Sequence, residues 1–367
     1  MRLGLADASH SLDVPRLITS SSFKIDSLVI GSGRGFLIAE VAQAHDGSLG
    51  LAHAFIDAAA EAGADAVKFQ THIAGAESTL DEPFRIKFSP QDDTRYAYWK
   101  RMEFSTEQWA GLANHARNKD LVFLSSAFSI AAVELLARLG MPAWKIASGE
   151  LGSAAILSAM EHAGGPFLLS TGMSGWAEID ALTTHIRGVG RPLSILQCTS
   201  RYPTPLEAVG LNVIDEIRQR YGLPAGLSDH SGRVHPALAA IARGASVVEL
   251  HLTLDRHMFG PDVPVSLTVD EFRLVSGFRN ALGVMDASPV DKNAAAAAFA
   301  EMRATFRRSL APARPLRAST ILAPEMLTAK KPGTGIPEDQ LTALVGRRLR
   351  RDVTPDRLLH ADDIEDS

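Results

Sequence analysis

The chain has 367 residues, 46 % hydrophobic and 22 % charged, with a net charge of −5. This is the composition of a soluble globular protein with room for one large domain and a small one, and it argues against a surface that holds nucleic acid by bulk positive charge. The single cysteine, Cys198, rules out an intrachain disulfide framework and fits a reducing cytoplasm, and no apolar run approaches the roughly 18 residues of a membrane helix.

Residues 1–35 lack the basic, apolar, small-residue pattern of a secretory signal and are expected to form an N-terminal extension or an early hairpin. From Phe36 short apolar runs alternate with Ala- and Leu-rich segments of helical spacing. Eight runs begin near Phe36, Asp65, Leu121, Ala143, Pro166, Leu193, Pro224 and Ser246. They are apolar without clean alternation, as parallel strands covered on both faces are. Several intervening helices end at glycine, as at Gly63, Gly140 and Gly244, where a left-handed cap suits a residue without a side chain. Eight βα units over residues 36–285 predict a (β/α)8 TIM barrel. A doubly wound open sheet is the alternative, but no G-x-G-x-x-G follows the first strand, and "GSGRG" at Gly31–Gly35 precedes it. The connection Ile73–Glu103 is long, carries Pro83, Pro90, Tyr96, Tyr98 and Trp99, and would sit over the barrel mouth unless it is a plain surface insertion. Residues 286–308 read as a linker helix around "AAAAAFAEMRATFRR". Residues 309–367 form a second, Pro- and Arg-rich unit, too short to bury a large core alone and expected to lean on another surface.

Active sites of such barrels lie at the carboxyl ends of the strands. Those ends carry Glu40, His45 and Asp46 after the first run, Lys68 and Gln70 in the second, Ser125 and Ser126 in the third, and Lys145, Ser148 and Glu150 in "WKIASGE". Ser170 and Thr171 end the fifth run; Gln197, Thr199, Ser200 and Tyr202 follow the sixth. The seventh supplies Ser228, Asp229 and His230, and the eighth Glu249 and His251, with Asp262 beyond in "FGPD". Side chains two apart on a strand share a face, so Lys68 points with Gln70, and Glu249 with His251. Charges gathered in one mouth are costly unless opposite charges or a charged ligand meet them.

His230 and His251 end neighbouring strands about 4.8 Å apart and could share one divalent ion, leaving positions open for water and substrate. Nitrogen and oxygen donors suit Mn²⁺, Zn²⁺, Co²⁺ or Fe²⁺ alike. Lys68, Lys145 and the hydroxyls of Ser126, Ser148 and Ser170 suit a phosphate and a carboxylate. Other readings stand beside these: a Schiff-base lysine, serines that only cap helices, a Glu150–Lys145 ion pair, and a His45 that only fixes a turn. Cys198 is expected to be a buried small hydrophobe.

The stretches "IAEVAQAHDGS", "VKFQTH", "FLSSAFS", "AWKIASGE", "LLSTGMS", "LQCTSRYPTP", "GLSDHSG", "VVELHLT" and "GPDVPVS" resemble, in order, the sialic acid synthases, the enzymes of N-acetylneuraminic, legionaminic and pseudaminic acid synthesis. "AKKPGTGI" resembles the antifreeze-like (SAF) domain that follows the barrel in that family. The resemblance implies condensation of phosphoenolpyruvate with an N-acetylmannosamine-like sugar, with C–O cleavage and release of phosphate. It implies a divalent metal, Mn²⁺ foremost with Mg²⁺ or Co²⁺ as alternatives, on His230 and His251, and a water-handling carboxylate at Glu40. Lys68, Ser126, Lys145, Ser148 and Ser170 match phosphoenolpyruvate contacts; Gln70, Tyr202 and Asp262 match sugar contacts. Glu150, Ser200, Ser228 and Lys331 complete the candidate substrate-binding set. A domain-swapped homodimer, the SAF domain of one chain covering the mouth of the other, is also implied. Three positions depart from the family pattern: Ala44 before His45 where Asn is usual, Ser200 where Asn is common, and Lys331 where the cap often supplies Arg. A metal-dependent aldolase or isomerase on the same barrel, or a non-catalytic sugar-binding relative, are the rival functions.

Overall fold

The structure is a computed structural model and describes residues 21–365. The chain divides between Ala287 and Ser288 into two compact units.

Eight parallel strands close the first unit: β1 (Phe36–Ala42), β2 (Ala66–Thr71), β3 (Val122–Ala127), β4 (Trp144–Ile146), β5 (Phe167–Ser170), β6 (Leu193–Cys198), β7 (Ala225–Asp229) and β8 (Val247–Thr253). Each pairs with the next, and β8 returns to β1, which makes the sheet a closed barrel and not an open one. Six of the eight strands begin one residue after the start read from the sequence; β1 and β6 begin where expected. Gly63, Gly140 and Gly244 have φ of 77°, 73° and 76°, the left-handed geometry expected of helix ends.

Alternation along the strands builds two cores. Leu37, Ala39, Val41, Val67, Phe69, Phe123 and Trp144 pack with the surrounding helices. Their neighbours in sequence, Ile38, Ala66, Val122, Leu124, Ala143, Leu168, Leu196 and Val247, pack with each other. Ile25 and Ile30 join that second cluster from a hairpin, Phe23–Ile25 paired with Leu28–Ile30, which closes the amino end of the barrel. The hairpin reading of the N-terminal extension holds there; residues 1–20 lie outside the described residues.

Two residues further along each inner face the chemistry changes. Ile38 is followed by Glu40, Ala66 by Lys68, Leu124 by Ser126, Ala143 by Lys145, Leu168 by Ser170, and Val247 by Glu249 and His251. All of these polar residues are buried. The barrel is therefore apolar at its amino end and ionisable at its carboxyl end, by strand periodicity alone.

In the second unit, Ser309–Pro312 pairs antiparallel with Leu327–Lys330 over a small core of Leu310, Leu316, Leu322, Leu349, Leu359 and Ile364. The Ala-rich segment before it forms two short helices, Lys292–Ala298 and Ala300–Phe306, interrupted at Phe299 (φ −97°, ψ 22°). Nothing in the structure explains that break.

Candidate active site at the barrel mouth

A cavity of about 550 Å³ opens at the carboxyl ends of the strands. Its floor is a buried charge lattice. Lys68 Nζ lies 2.7 Å from Glu40 Oε2, 3.9 Å from Glu249 Oε2 and 3.3 Å from Ser126 Oγ. Lys145 Nζ lies 3.3 Å from Glu249 Oε1 and donates to Ser170 Oγ at 2.7 Å. Ser228 donates to Glu249 Oε1 at 3.1 Å. So Lys145 pairs with Glu249, and the Glu150–Lys145 pair weighed from sequence does not form.

Burial alone would drive the Lys68 pKa down, but the Glu249 and Glu40 carboxylates more than offset it and hold the ammonium charged. A charged ammonium at Lys68 suits an anion contact better than a Schiff-base nucleophile. Burial raises the pKa of Glu40, with the Glu249 charge adding to it against the opposing pull of Lys68. For Glu249, burial is outweighed by Lys145 and Lys68, and its pKa falls. Two neighbouring carboxylates thus differ: Glu249 is a fixed counter-charge, and Glu40 is the better proton acceptor.

The two histidines stand on the same rim. Their ring centroids are 5.4 Å apart at 54°, and both rings line the cavity. The His230 Nδ1 proton goes to the Thr199 carbonyl at 3.0 Å, which leaves Nε2 to accept from the Tyr202 hydroxyl at 2.8 Å. Burial lowers the His230 pKa to about 3, with the nearby His251 contributing, so the imidazole is neutral. His251 is buried and, among the described residues, no side chain or backbone group hydrogen-bonds either of its ring nitrogens. An imidazole on the cavity wall with no hydrogen bond, beside a neutral one whose only Nε2 partner is a hydroxyl, is a donor set that fits a divalent ion. Among the described residues no three His, Cys, Asp or Glu side chains converge on one point, so the two imidazoles are the protein donors on offer.

Gln70, Ser148, Ser200 and Asp262 also line the cavity, as do Glu40, Lys68, Ser126, Lys145, Ser170, Tyr202 and Ser228. Ser148 Oγ accepts from the Gly172 amide at 3.0 Å, and Gln70 Nε2 donates to Glu40 Oε1 at 2.8 Å. Gly172 has no room for a side chain: a Cβ there would stand 2.4 Å from Ser200 Oγ and 2.8 Å from Cys198 Sγ. Cys198 is buried, as expected, and burial raises its thiol pKa.

One expected substrate residue of the barrel lies elsewhere. Glu150 faces a separate depression, not this cavity, and accepts from Ser153 Oγ at 2.6 Å. The chain leaves β4 after only three residues and turns at Ala147–Glu150, so strand periodicity no longer carries Glu150 inward. Lys331 lies in the second unit, as expected, with its ammonium 5.3 Å from the centre of the Phe306 ring. His45 is buried against Phe104 and receives the Gly47 amide at 3.1 Å, which fits the turn-fixing role. Asp46 pairs with Arg101 at 2.7 Å.

The long connection Ile73–Glu103 does reach the mouth: Phe84, Arg85, Phe88, Tyr98 and Trp99 line it. Arg85, absent from the expected set, stacks 4.7 Å from the centre of the Tyr202 ring. Gln43 and Phe128 were missed as well. Aromatic content had singled the loop out, but no local pattern says which of its side chains turn inward.

A closed (β/α)8 barrel with a buried, charge-balanced set at its carboxyl end is the architecture of a barrel enzyme. The NeuB family model matches residues 55–288 and a SAF domain model matches residues 307–365. The chain is 32 % identical over 342 residues to the N,N'-diacetyllegionaminic acid synthase of Legionella pneumophila, covering 90 % of this chain and 94 % of that one. It is 31 % identical to the N-acetylneuraminate-9-phosphate synthase of Homo sapiens over 86 % of this chain and 88 % of that one. Among solved structures, the N-acetylneuraminic acid (sialic acid) synthetase of Leptospira borgpetersenii superposes with a TM-score of 0.67 at 26 % identity, over 78 % of this chain and 98 % of that one. The chain belongs to the NeuB family, and its second unit carries a SAF domain.

Proposed function

We propose that the chain condenses phosphoenolpyruvate with an N-acetylmannosamine-like amino sugar to a nonulosonic acid and releases phosphate. The observation that carries this reading is the inner-face layer: two lysines and three serines across from a pair of inward-facing imidazoles. Lys68 and Lys145, with Ser126, Ser148 and Ser170, bind the phosphate and carboxylate of phosphoenolpyruvate. His230 and His251 would hold a divalent metal, Mn²⁺ foremost, and such an ion would supply Lewis acidity toward the acceptor's carbonyl. Gln70, Tyr202, Ser200, Ser228 and Asp262 orient the open-chain sugar so that its aldehyde carbon faces C3 of phosphoenolpyruvate.

A bond forms from C3 to the aldehyde carbon, whose oxygen takes up a proton. C2, left cationic, is attacked by water. Glu40, with its raised pKa, takes the proton that the water loses. The C2–O bond to phosphate then breaks as the new C2 hydroxyl gives up its proton to the departing phosphate, giving the 2-keto acid and inorganic phosphate. The charge on Glu249 stays in place throughout, balancing both lysines.

The acceptor is the less defined partner. Ala44, Ser200 and Lys331 all bear on it, and none of the three lies among the proposed phosphoenolpyruvate or metal contacts. A homodimer in the cytoplasm, with the SAF domain of one chain serving the barrel of the other, completes the proposal; the exposed Phe299, Met302 and Phe306 before that domain give a partner an apolar face to bury. The test is phosphate release with phosphoenolpyruvate, Mn²⁺ and a panel of N-acetylated hexosamines. Sugar-dependent release supports the synthase. Product formed from pyruvate without phosphate release points to an aldolase, and metal-loaded protein inert toward every acceptor points to the sugar-binding relative.

A further inference from the structure

A chain of hydrogen bonds runs from the mouth to a carboxylate outside it. Gln70 Nε2 donates to Glu40 Oε1 at 2.8 Å, and Gln70 Oε1 accepts from Gln43 Nε2 at 2.6 Å. The same Gln43 nitrogen lies 2.7 Å from His72 Nε2, and His72 Nδ1 lies 2.5 Å from Glu77 Oε1. The side chains of His72 and Glu77 are 3 % and 6 % exposed. Glu77 lines only the separate depression and does not touch the main cavity.

With both carboxylates as acceptors and a neutral His72, the bonds of this chain have one consistent direction. A carboxylate acceptor at Glu77 draws the proton of a neutral His72 to Nδ1, which leaves Nε2 as the acceptor. A bare Nε2 requires a donor, so Gln43 turns its NH₂ toward it. That NH₂ has a second hydrogen, which goes to Gln70 Oε1. Gln70 must then present its own NH₂ to Glu40. Reversing any one amide would set two acceptors face to face in a buried place. The His72 ring cannot turn to relieve such a clash. It lies between Trp99, at 3.9 Å and 14°, and Phe128, at 4.5 Å and 7°.

We infer that Glu77 and His72 are positioning residues of this active site: through Gln43 they fix which end of the Gln70 amide faces Glu40 and which faces the acceptor. The inference rests on the synthase reading, in which Gln70 contacts sugar and Glu40 accepts the proton of water. Neither Glu77 nor His72 touches the reacting atoms in it. Both act by orientation, as outer partners of a site commonly do.

The experiment has two arms. Long-range ¹H–¹⁵N correlation on the full chain reads the His72 tautomer without any need for activity. The expected result is a proton on Nδ1 and a bare Nε2, lost in Glu77→Ala. A proton on Nε2 in the wild-type chain overturns the inference whether or not the chain is a synthase. Kinetics form the second arm. Glu77→Ala and, from the cavity side, Gln43→Ala should each lower kcat tenfold or more while the KM for phosphoenolpyruvate stays within twofold. Glu77→Gln, which keeps an acceptor oxygen, should recover most of the loss. Wild-type kinetics in both alanine variants, or a loss that Glu77→Gln fails to rescue, would overturn it. A wild-type chain inert with every acceptor would count against the synthase reading instead, and the tautomer would still decide the geometry.

Discussion

His251 on β8 stands opposite Glu40 on β1 in the register that closes the barrel. The first and last strands of the barrel meet at this pair. Closure therefore brings one imidazole of the proposed metal site beside the carboxylate proposed to receive a proton, and makes the site depend on the integrity of the whole ring. The same register sets Lys68 against Glu40 across β1 and β2. The consequences can be measured.

Lys145→Met should leave Glu249 buried with Lys68 as its one remaining cation, at 3.9 Å. Breaking a buried pair by removing one partner costs about 3–5 kcal/mol. Urea unfolding at neutral pH should show a loss of that order, and the KM for phosphoenolpyruvate should rise. Unchanged stability would mean that the lattice is wetter than the structure shows.

Gly226→Ala should be among the most damaging single changes in the barrel. A Cβ at Gly226 would stand 2.1 Å from the carbonyl oxygen of Val247, which is backbone of the adjacent strand. The strands must part to admit it, at a cost of about 3 kcal/mol or more. Thermal unfolding and soluble yield report this directly. A variant as stable as wild type would refute the close approach of β7 and β8.

Acid should loosen the loop over the mouth. Arg101, hydrogen-bonded to Asp92 at 2.7 Å, holds that carboxyl below the usual aspartate range against the opposing effect of burial. A group whose folded pKa is depressed stabilises the fold above its unfolded pKa and loses that contribution as pH falls through the folded value. The stability added by this pair should therefore be complete at neutral pH and decline only below about pH 4. Melting temperature followed from pH 6 to 2 should fall less steeply in Arg101→Met than in wild type. Parallel curves for the two would contradict the assignment.

Much of the site was legible because strands have period two. Once Lys68 and Gln70, or Glu249 and His251, are read as sharing a face, the barrel sends them into one mouth, and the structure does so. Legibility fails where the strand ends. Glu150 follows a turn, so counting from Lys145 misplaces it. Gln43 and His72 sit at the ends of β1 and β2, and only the two rings that clamp His72, one of them from the distant loop, give it a fixed role. Glu249 was noted as a strand-end carboxylate, but its partners come from β2, β4 and β7 and are visible only in three dimensions.

On this reading His230 and His251 together hold a divalent ion at the mouth. Calorimetric titration with Mn²⁺ of the wild type, His230→Ala, His251→Ala and the double variant tests it most directly. The expected result is one site in the wild type, a loss in each single variant beyond the roughly 10–100-fold that removal of an outer partner costs, and no measurable site in the double variant. Mn²⁺ binding in the double variant as tight as in the wild type would contradict it.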